Sequence, residues 1–235
     1  MDDGQLNFGQ FTKEGSNFMA MQMKIYVPPH PLVKHWLGVA RDKNTPSTLF
    51  KSAMVELGRW LTYEAIRDWL PTIDTQVETP VGVADATFIN PQSAIATIPI
   101  LRAGLTLAEG AQTILPLAST YHLGLVRDEN TLKPSCYLNK LPEKFAPDTR
   151  ILILDPMLAT GGSMMYALEE VVKRGGNIDL TRIICVVGAP PALKELGTAY
   201  PTLTIYSAMI DEEVNDSGFI VPGLGDAGDR AFNNA

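Results

Sequence analysis

Between residues 151 and 163 the chain reads Ile151-Leu-Ile-Leu-Asp155-Pro-Met-Leu-Ala-Thr160-Gly-Gly-Ser163, and few folds accept such a stretch. Residues 151–154 are four consecutive aliphatic side chains. An apolar run this short is expected of a strand buried on both faces of a parallel sheet. Residues 164–174 then carry Met164, Leu168, Val171 and Val172 at helical spacing, and Gly175-Gly176 marks the stop. The turn between strand and helix holds one carboxylate, two hydroxyls and two adjacent glycines. Backbone N–H groups at a helix N-terminus attract anions, and Gly161 and Gly162 let the chain approach a phosphate closely. Thr160 and Ser163 add hydroxyl donors, and Asp155 at the strand end can accept from a ribose diol. No lysine follows the glycines, so the turn is not a Walker loop, and it lacks the G-x-G-x-x-G dinucleotide fingerprint. A single 5-phosphate beside a ribose fits it better than a triphosphate. The same residues also suit a plain strand–helix connection punctuated by Asp-Pro and Gly-Gly.

Other segments extend the pattern. Buried strands are expected at residues 94–101, 123–126, 183–187 and 202–209, with a helix at 105–115. Strands alternating with helices imply an α/β fold with a doubly wound, mainly parallel sheet flanked by helices. Ligands of such sheets bind beyond the carboxyl ends of the strands, where Arg102, Arg127 and Asp155 are all expected. Residues 24–27 suit a short strand closed by Pro28-Pro29. In His30-Pro-Leu-Val-Lys-His35 the histidines are five apart, which suits no metal pair on one helix face, so both are read as structural. A long amphipathic helix is expected from Thr45 as N-cap and Pro46 at the first helical position to near Pro71. Its wide apolar face suits the core, or secondarily a subunit interface. Residues 75–85 alternate polar and apolar around Pro80-Val-Gly82, which suggests a hairpin arm. Residues 1–23 show no sustained period and read as a loose extension before a single domain over residues 24–235.

Length and composition exclude several classes. A chain of 235 residues suits one well-buried α/β domain. Its net charge of −7 disfavours general electrostatic wrapping of nucleic acid. An anionic substrate then needs a locally positive pocket, which Arg102, Arg127 and the turn N–H groups can supply. The two cysteines, Cys136 and Cys185, form no C-x-x-C and fit a reducing cytoplasm. No apolar run reaches membrane-spanning length, and the N-terminus lacks the basic stretch of a secretory signal.

The segment from Asp155 to Ser163 resembles the phosphoribosyl-pyrophosphate (PRPP) loop of uracil phosphoribosyltransferases. Many members of the wider phosphoribosyltransferase group open this loop with two acidic residues; the single one in Asp155-Pro156 is the uracil-enzyme variant. Three further stretches agree in the same order: residues 30–35, Pro99-Ile-Leu-Arg-Ala-Gly104 and Pro222-Gly-Leu-Gly-Asp-Ala-Gly-Asp-Arg230. The resemblance spans residues 24–232 and implies the type I phosphoribosyltransferase fold, with a small hood or arm region over the core.

That resemblance implies a reaction, PRPP + uracil → UMP + pyrophosphate, in pyrimidine salvage. It assigns PRPP to Arg102, Arg127, Asp155, Pro156, Met157, Leu158, Ala159, Thr160, Gly161, Gly162, Ser163 and Asp226. The 5-phosphate sits on residues 159–163, the diol meets Asp155, and the two arginines line the pyrophosphate end. It assigns uracil to Ile220, Gly225, Asp226 and Ala227, whose Gly- and Pro-rich surroundings suit a rigid exposed backbone. Asp155, Arg102 and Asp226 are the expected catalytic groups, with Asp226 the nearest candidate for a general base. Mg²⁺ is expected mainly through PRPP and water rather than a protein cage. The resemblance also implies a cytoplasmic homodimer or larger assembly, and some relatives respond to GTP. The rival from another class is a non-catalytic nucleotide-sensing regulator that binds RNA on the same fold. Gly188-Ala-Pro-Pro191, Val126 and the tail at 231–235 depart from the family pattern, and the first of these is expected to alter the following helix start.

Overall fold

The computed structural model describes residues 22–127 and 134–234, with only the backbone of Arg127. The expected extension over residues 1–23 therefore lies outside the described residues except for Gln22 and Met23, and Met23 packs against the core. In chain order the elements are β1 Lys24–Tyr26, α1 Pro31–Arg41, α2 Ser47–Ile66, β2 Thr72–Thr79, β3 Gly82–Ile89, β4 Ile95–Leu101, α3 Gly104–Ile114, β5 Ser119–Thr120 and β6 Leu123–Arg127. Then come β7 Pro134–Asn139, β8 Arg150–Leu154, β9 Met157–Leu158, α4 Gly162–Lys173, β10 Thr181–Gly188, α5 Pro190–Ala199, β11 Thr204–Ile210, β12 Glu213–Val214, β13 Ile220–Val221 and α6 Ala227–Phe232. The central sheet runs β1-β11-β10-β8-β4-β6-β7. Every neighbour pair along it is parallel except β6–β7.

Side-chain alternation explains the two layers. Ile151 and Ile153 of β8 face the cluster that holds Met164, Leu168 and Val171 of α4 and Leu193 and Leu196 of α5. Leu152 and Leu154 face the opposite cluster, built on Phe50, Met54, Leu57 and Leu61 of α2 and Leu107 and Ala111 of α3. All four β8 side chains are fully buried, as a strand covered on both faces requires.

Two local expectations change. The α2 N-cap is Pro46, without a side-chain cap, because the Thr45 hydroxyl instead donates to Val39 O at 2.7 Å. That bond closes the α1–α2 turn and leaves no lone cap for the helix. The prolines at 190 and 191 do not disturb α5; they occupy its first turn, where a missing N–H costs nothing. The hairpin arm is real and longer than expected, with β2 and β3 paired over their full lengths around Pro80-Val81. His30 is structural, as expected: its Nδ1 accepts from Leu32 N at 3.1 Å and caps α1.

Glu170 fastens α4 to β7. Its carboxylate accepts from Asn139 Nδ2 at 2.7 Å, pairs with Arg174, and has Lys173 Nζ at 3.5 Å. Burial alone would raise its pKa, but the bond and charge of Arg174, aided by Asn139 and Lys173, leave it below the ordinary 4.5. A carboxyl depressed in the folded state stabilises fully above the ordinary value and loses that contribution as pH falls through the folded one. Glu170→Gln is expected to cost about 1.5–3 kcal/mol at pH 7. Urea unfolding at pH 7 and at pH 3 should show the gap from wild type narrowing in acid.

Candidate active site

At the carboxyl ends of β4, β6 and β8 the sheet opens into a cleft of about 880 Å³. Its lining brings together Arg102, Asp155, Met157, Ala159, Ser163, Ile220, Gly225, Asp226 and Ala227. These come from three separate stretches of the sequence, and each was singled out there for ligand chemistry.

Asp155 directly follows β8. Its N–H donates to Ile184 O at 3.1 Å, which fixes it at the sheet edge, and its Oδ1 faces Met157 N at 3.5 Å. Beyond it the chain stays in the sheet for two residues. Pro156 O accepts from Val186 N and Val187 N, and Leu158 O accepts from Ala189 N. Pro156 and Leu158 are thus buried supports of the turn and do not line the cleft. Gly161 then adopts φ +97°, which an L side chain disfavours, and a Cβ there would also lie 3.3 Å from Ala192 Cα. No side chain caps α4. The first-turn N–H groups of an α-helix have no partner within the helix, so this end is suited to an anion. Thr160, Gly161 and Gly162 flank the cleft; Ala159 and Ser163 line it.

Arg102 follows β4, after a cis Leu101–Arg102 peptide bond. Its Nη2 donates to Asp229 Oδ1 at 2.7 Å, and its Nη1 donates to Asn234 in the amide orientation that satisfies both ends of that side chain. Asp229 and Asn234 were not singled out from sequence; only the fold brings the C-terminal segment across to β4. Arg127 ends β6, on the cleft side, and its side chain lies outside the described residues.

The third wall is the turn over residues 220–227. Ile220 is buried in β13, which pairs with β12. Gly225 has φ +77°, and Asp226 is the N-cap of α6, its Oδ1 accepting from Asp229 N at 2.8 Å. Sequence reading missed the neighbouring Asp216, Ser217, Gly218 and Phe219, which also line the cleft. Asn215-Asp216-Ser217-Gly218 is a turn signal, but a turn signal says nothing about what the turn faces. Tyr137 was missed too. It lies on Gly124, where a Cβ would come within 2.6 Å of its ring, and that contact keeps the ring in the cleft. Among the described lining residues, Asp155, Asp216 and Asp226 outnumber the single cation Arg102. The described lining is therefore less positive than the expected anion pocket.

A mainly parallel sheet covered on both faces, with a glycine-rich turn after β8, is the fold of type I phosphoribosyltransferases. The adenine phosphoribosyl transferase from Trypanosoma brucei shares the fold, with a TM-score of 0.50 at 13% identity over 83% of this chain and 85% of that one. The family described as uracil phosphoribosyltransferase matches residues 27–234, and the chain belongs to it. It is 67% identical over 214 residues to the uracil phosphoribosyltransferase of Nostoc sp., covering 91% of this chain and 99% of that one. It is 54% identical over 211 residues to that of Nicotiana tabacum, covering 90% and 94%. A solved structure, the AQ2163 protein from Aquifex aeolicus, superposes with a TM-score of 0.79 at 37% identity, covering 88% and 97%.

Proposed function

We propose that this protein transfers a phosphoribosyl group from PRPP to uracil, giving UMP and pyrophosphate. The carrying observation is that one cleft joins the turn after β8, the arginine after β4 and the turn over residues 220–227. The 5-phosphate is assigned to the α4 N-terminus with Ala159, Thr160, Gly161, Gly162 and Ser163. Asp155 is assigned to the ribose diol, and Arg102 with Arg127 to the pyrophosphate. Uracil is assigned to the backbone at Ile220, Gly225, Asp226 and Ala227. The bond from C1 to the pyrophosphate oxygen breaks, the bond from C1 to N1 of uracil forms, and the N1 proton passes to solvent or to the departing pyrophosphate. Positive charge grows on the ribose as pyrophosphate departs, and Asp155 is assigned to stabilise it. Catalysis is then mainly positioning and charge complementarity. Because Asp226 Oδ1 is engaged by Asp229 N, its role is proposed to be orientation of the base edge.

Among the described residues no group of three or more His, Cys, Asp or Glu could hold a metal. Three carboxylates among the described residues, Asp155, Asp216 and Asp226, line the cleft without forming such a group, and hard oxygen donors of this kind suit Mg²⁺. Bound with PRPP, Mg²⁺ would neutralise the leaving pyrophosphate, which these acidic walls would otherwise repel.

No helix among the described residues is long and apolar enough to cross a membrane. A cytoplasmic homodimer or larger assembly is proposed, supported by exposed apolar side chains along the hairpin arm such as Val81, Val83 and Phe88. GTP enters as an effector only through the family resemblance.

Uracil should be used, and cytosine, hypoxanthine and guanine should not. A backbone edge matched to an imide leaves buried polar groups unpaired against the wrong base, which discriminates strongly. The test follows nucleotide formation from PRPP with each base; comparable rates with a purine would overturn the assignment. The rival regulator would instead bind RNA in a salt-dependent manner and form no UMP, and the net charge of −7 favours the enzyme.

A further inference from the structure

The turn over residues 220–227 is held from behind by charged groups that do not line the cleft. Asp211 stands directly after β11 and is 6% exposed. Its Oδ2 accepts from Gly223 N at 2.9 Å, and its Oδ1 accepts from Arg41 Nη2 at 2.6 Å. Gly223 has φ +57°, and a Cβ there would lie 2.1 Å from Ile220 O, so this turn folds closely on itself. One residue later, Leu224 O accepts from Arg230 Nη1 at 2.7 Å. The same guanidinium donates to Ala40 O at 2.5 Å and Asp42 O at 2.6 Å, and its carbon lies 4.1 Å from the centre of the Phe50 ring. Two consecutive turn residues are thus bonded to charged side chains whose further contacts converge on the end of α1.

We propose that Asp211 and Arg230 are positioning residues that set the height of the base-reading backbone, with the end of α1 as their common anchor. This rests on the assignment of uracil to that turn. Neither side chain touches the cleft, so each acts on the base only through the turn. Charge matters at both. An asparagine at 211 could still accept from Gly223 N, but it would not hold the Arg41 guanidinium. A lysine at 230 keeps the charge, but its ammonium cannot span Ala40, Asp42 and Leu224 as a planar fork does.

The test is steady-state kinetics and amide exchange on Asp211→Asn and Arg230→Lys in the full chain. KM for uracil is expected to rise about tenfold or more in each, the loss of a bond to a charged group. KM for PRPP and kcat at saturating uracil should stay within about twofold, since only the uniform binding of uracil is weakened. Amide exchange should quicken over residues 220–227 and stay unchanged over 151–154. An unchanged KM for uracil, or an equal rise in both KM values, would overturn the proposal. Should Asp211→Asn not fold, Arg41→Gln reads the same contact from its more exposed end, and the same split is expected. If the wild-type protein forms no UMP, the functional reading fails. The exchange comparison then still decides whether these residues pin the turn: quicker exchange supports it, and unchanged exchange overturns it.

Discussion

Arg102→Ala should lower kcat/KM for PRPP by roughly tenfold to a hundredfold or more while changing uracil binding little. Pyrophosphate oxygens gain charge as their bond to C1 breaks, so a guanidinium at that end stabilises the transition state more than the ground state. Uracil is neutral and gains little from a distant cation. The ion pair with Asp229 gives the competing explanation, a structural arginine, and its magnitude separates the two. The Arg102 and Asp229 side chains are 50% and 38% exposed, and an ion pair that open contributes about 0–1 kcal/mol. Loss of the pair should therefore barely move the melting temperature, while the kinetic loss should be large. Arg102→Lys should restore only part of the rate, because lysine keeps the charge and not the fork. Steady-state kinetics with each substrate varied at saturating levels of the other decides this. Unchanged PRPP parameters with lowered thermal stability would make Arg102 a structural partner only.

The sequence was most legible where one local rule acts alone. The aliphatic run at 151–154 and the Gly-Gly stop at 175–176 both act through nearest neighbours, and β8 and α4 lie where they indicate. The place of Asp155 at the sheet edge was readable because it directly follows that aliphatic run. The contacts that complete the cleft act over long separations. Arg102 meets Asp229 127 residues away, and Arg230 meets Ala40 190 residues away. No periodicity reports such a pair, since it forms only once α6 packs against α2. Thr45 was misread for a related reason: its hydroxyl had a second acceptor, Val39 O, in a turn whose closure depends on how α1 and α2 pack. Tyr137 was invisible because its place depends on the missing side chain at Gly124, on the adjacent strand.

Two glycines on α3 should separate the stability of this fold from its chemistry. A Cβ at Gly104 would lie 2.4 Å from Leu154 O, and one at Gly110 would lie 2.1 Å from Val55 O and 2.5 Å from Arg59 N. Real contacts of this type need well over 3 Å, so in each case backbone must move. Alanine is the better helix former by about 1 kcal/mol, yet overpacking costs about 1–3 kcal/mol and occasionally more. Backbone atoms on both sides of the clash cannot rotate away, which places both substitutions toward the upper end. Each should lower the melting temperature by several degrees, at about 2–4 °C per kcal/mol for a chain of this size. Their effects on turnover should differ. Gly104 lies two residues after Arg102, and the carbonyl it presses belongs to the residue before Asp155. Its close approach to β8 fixes the spacing between Arg102, proposed for the pyrophosphate, and Asp155, proposed for the diol. A displacement of about 1 Å there can cost about a hundredfold in rate. Gly110 sits at the α2–α3 crossing, and moving it leaves both groups in place. UMP formation measured well below each melting temperature should therefore collapse in Gly104→Ala and stay near wild type in Gly110→Ala. Equal losses in the two would show that α3 transmits strain along its whole length, and wild-type turnover in Gly104→Ala would show that the spacing tolerates the shift.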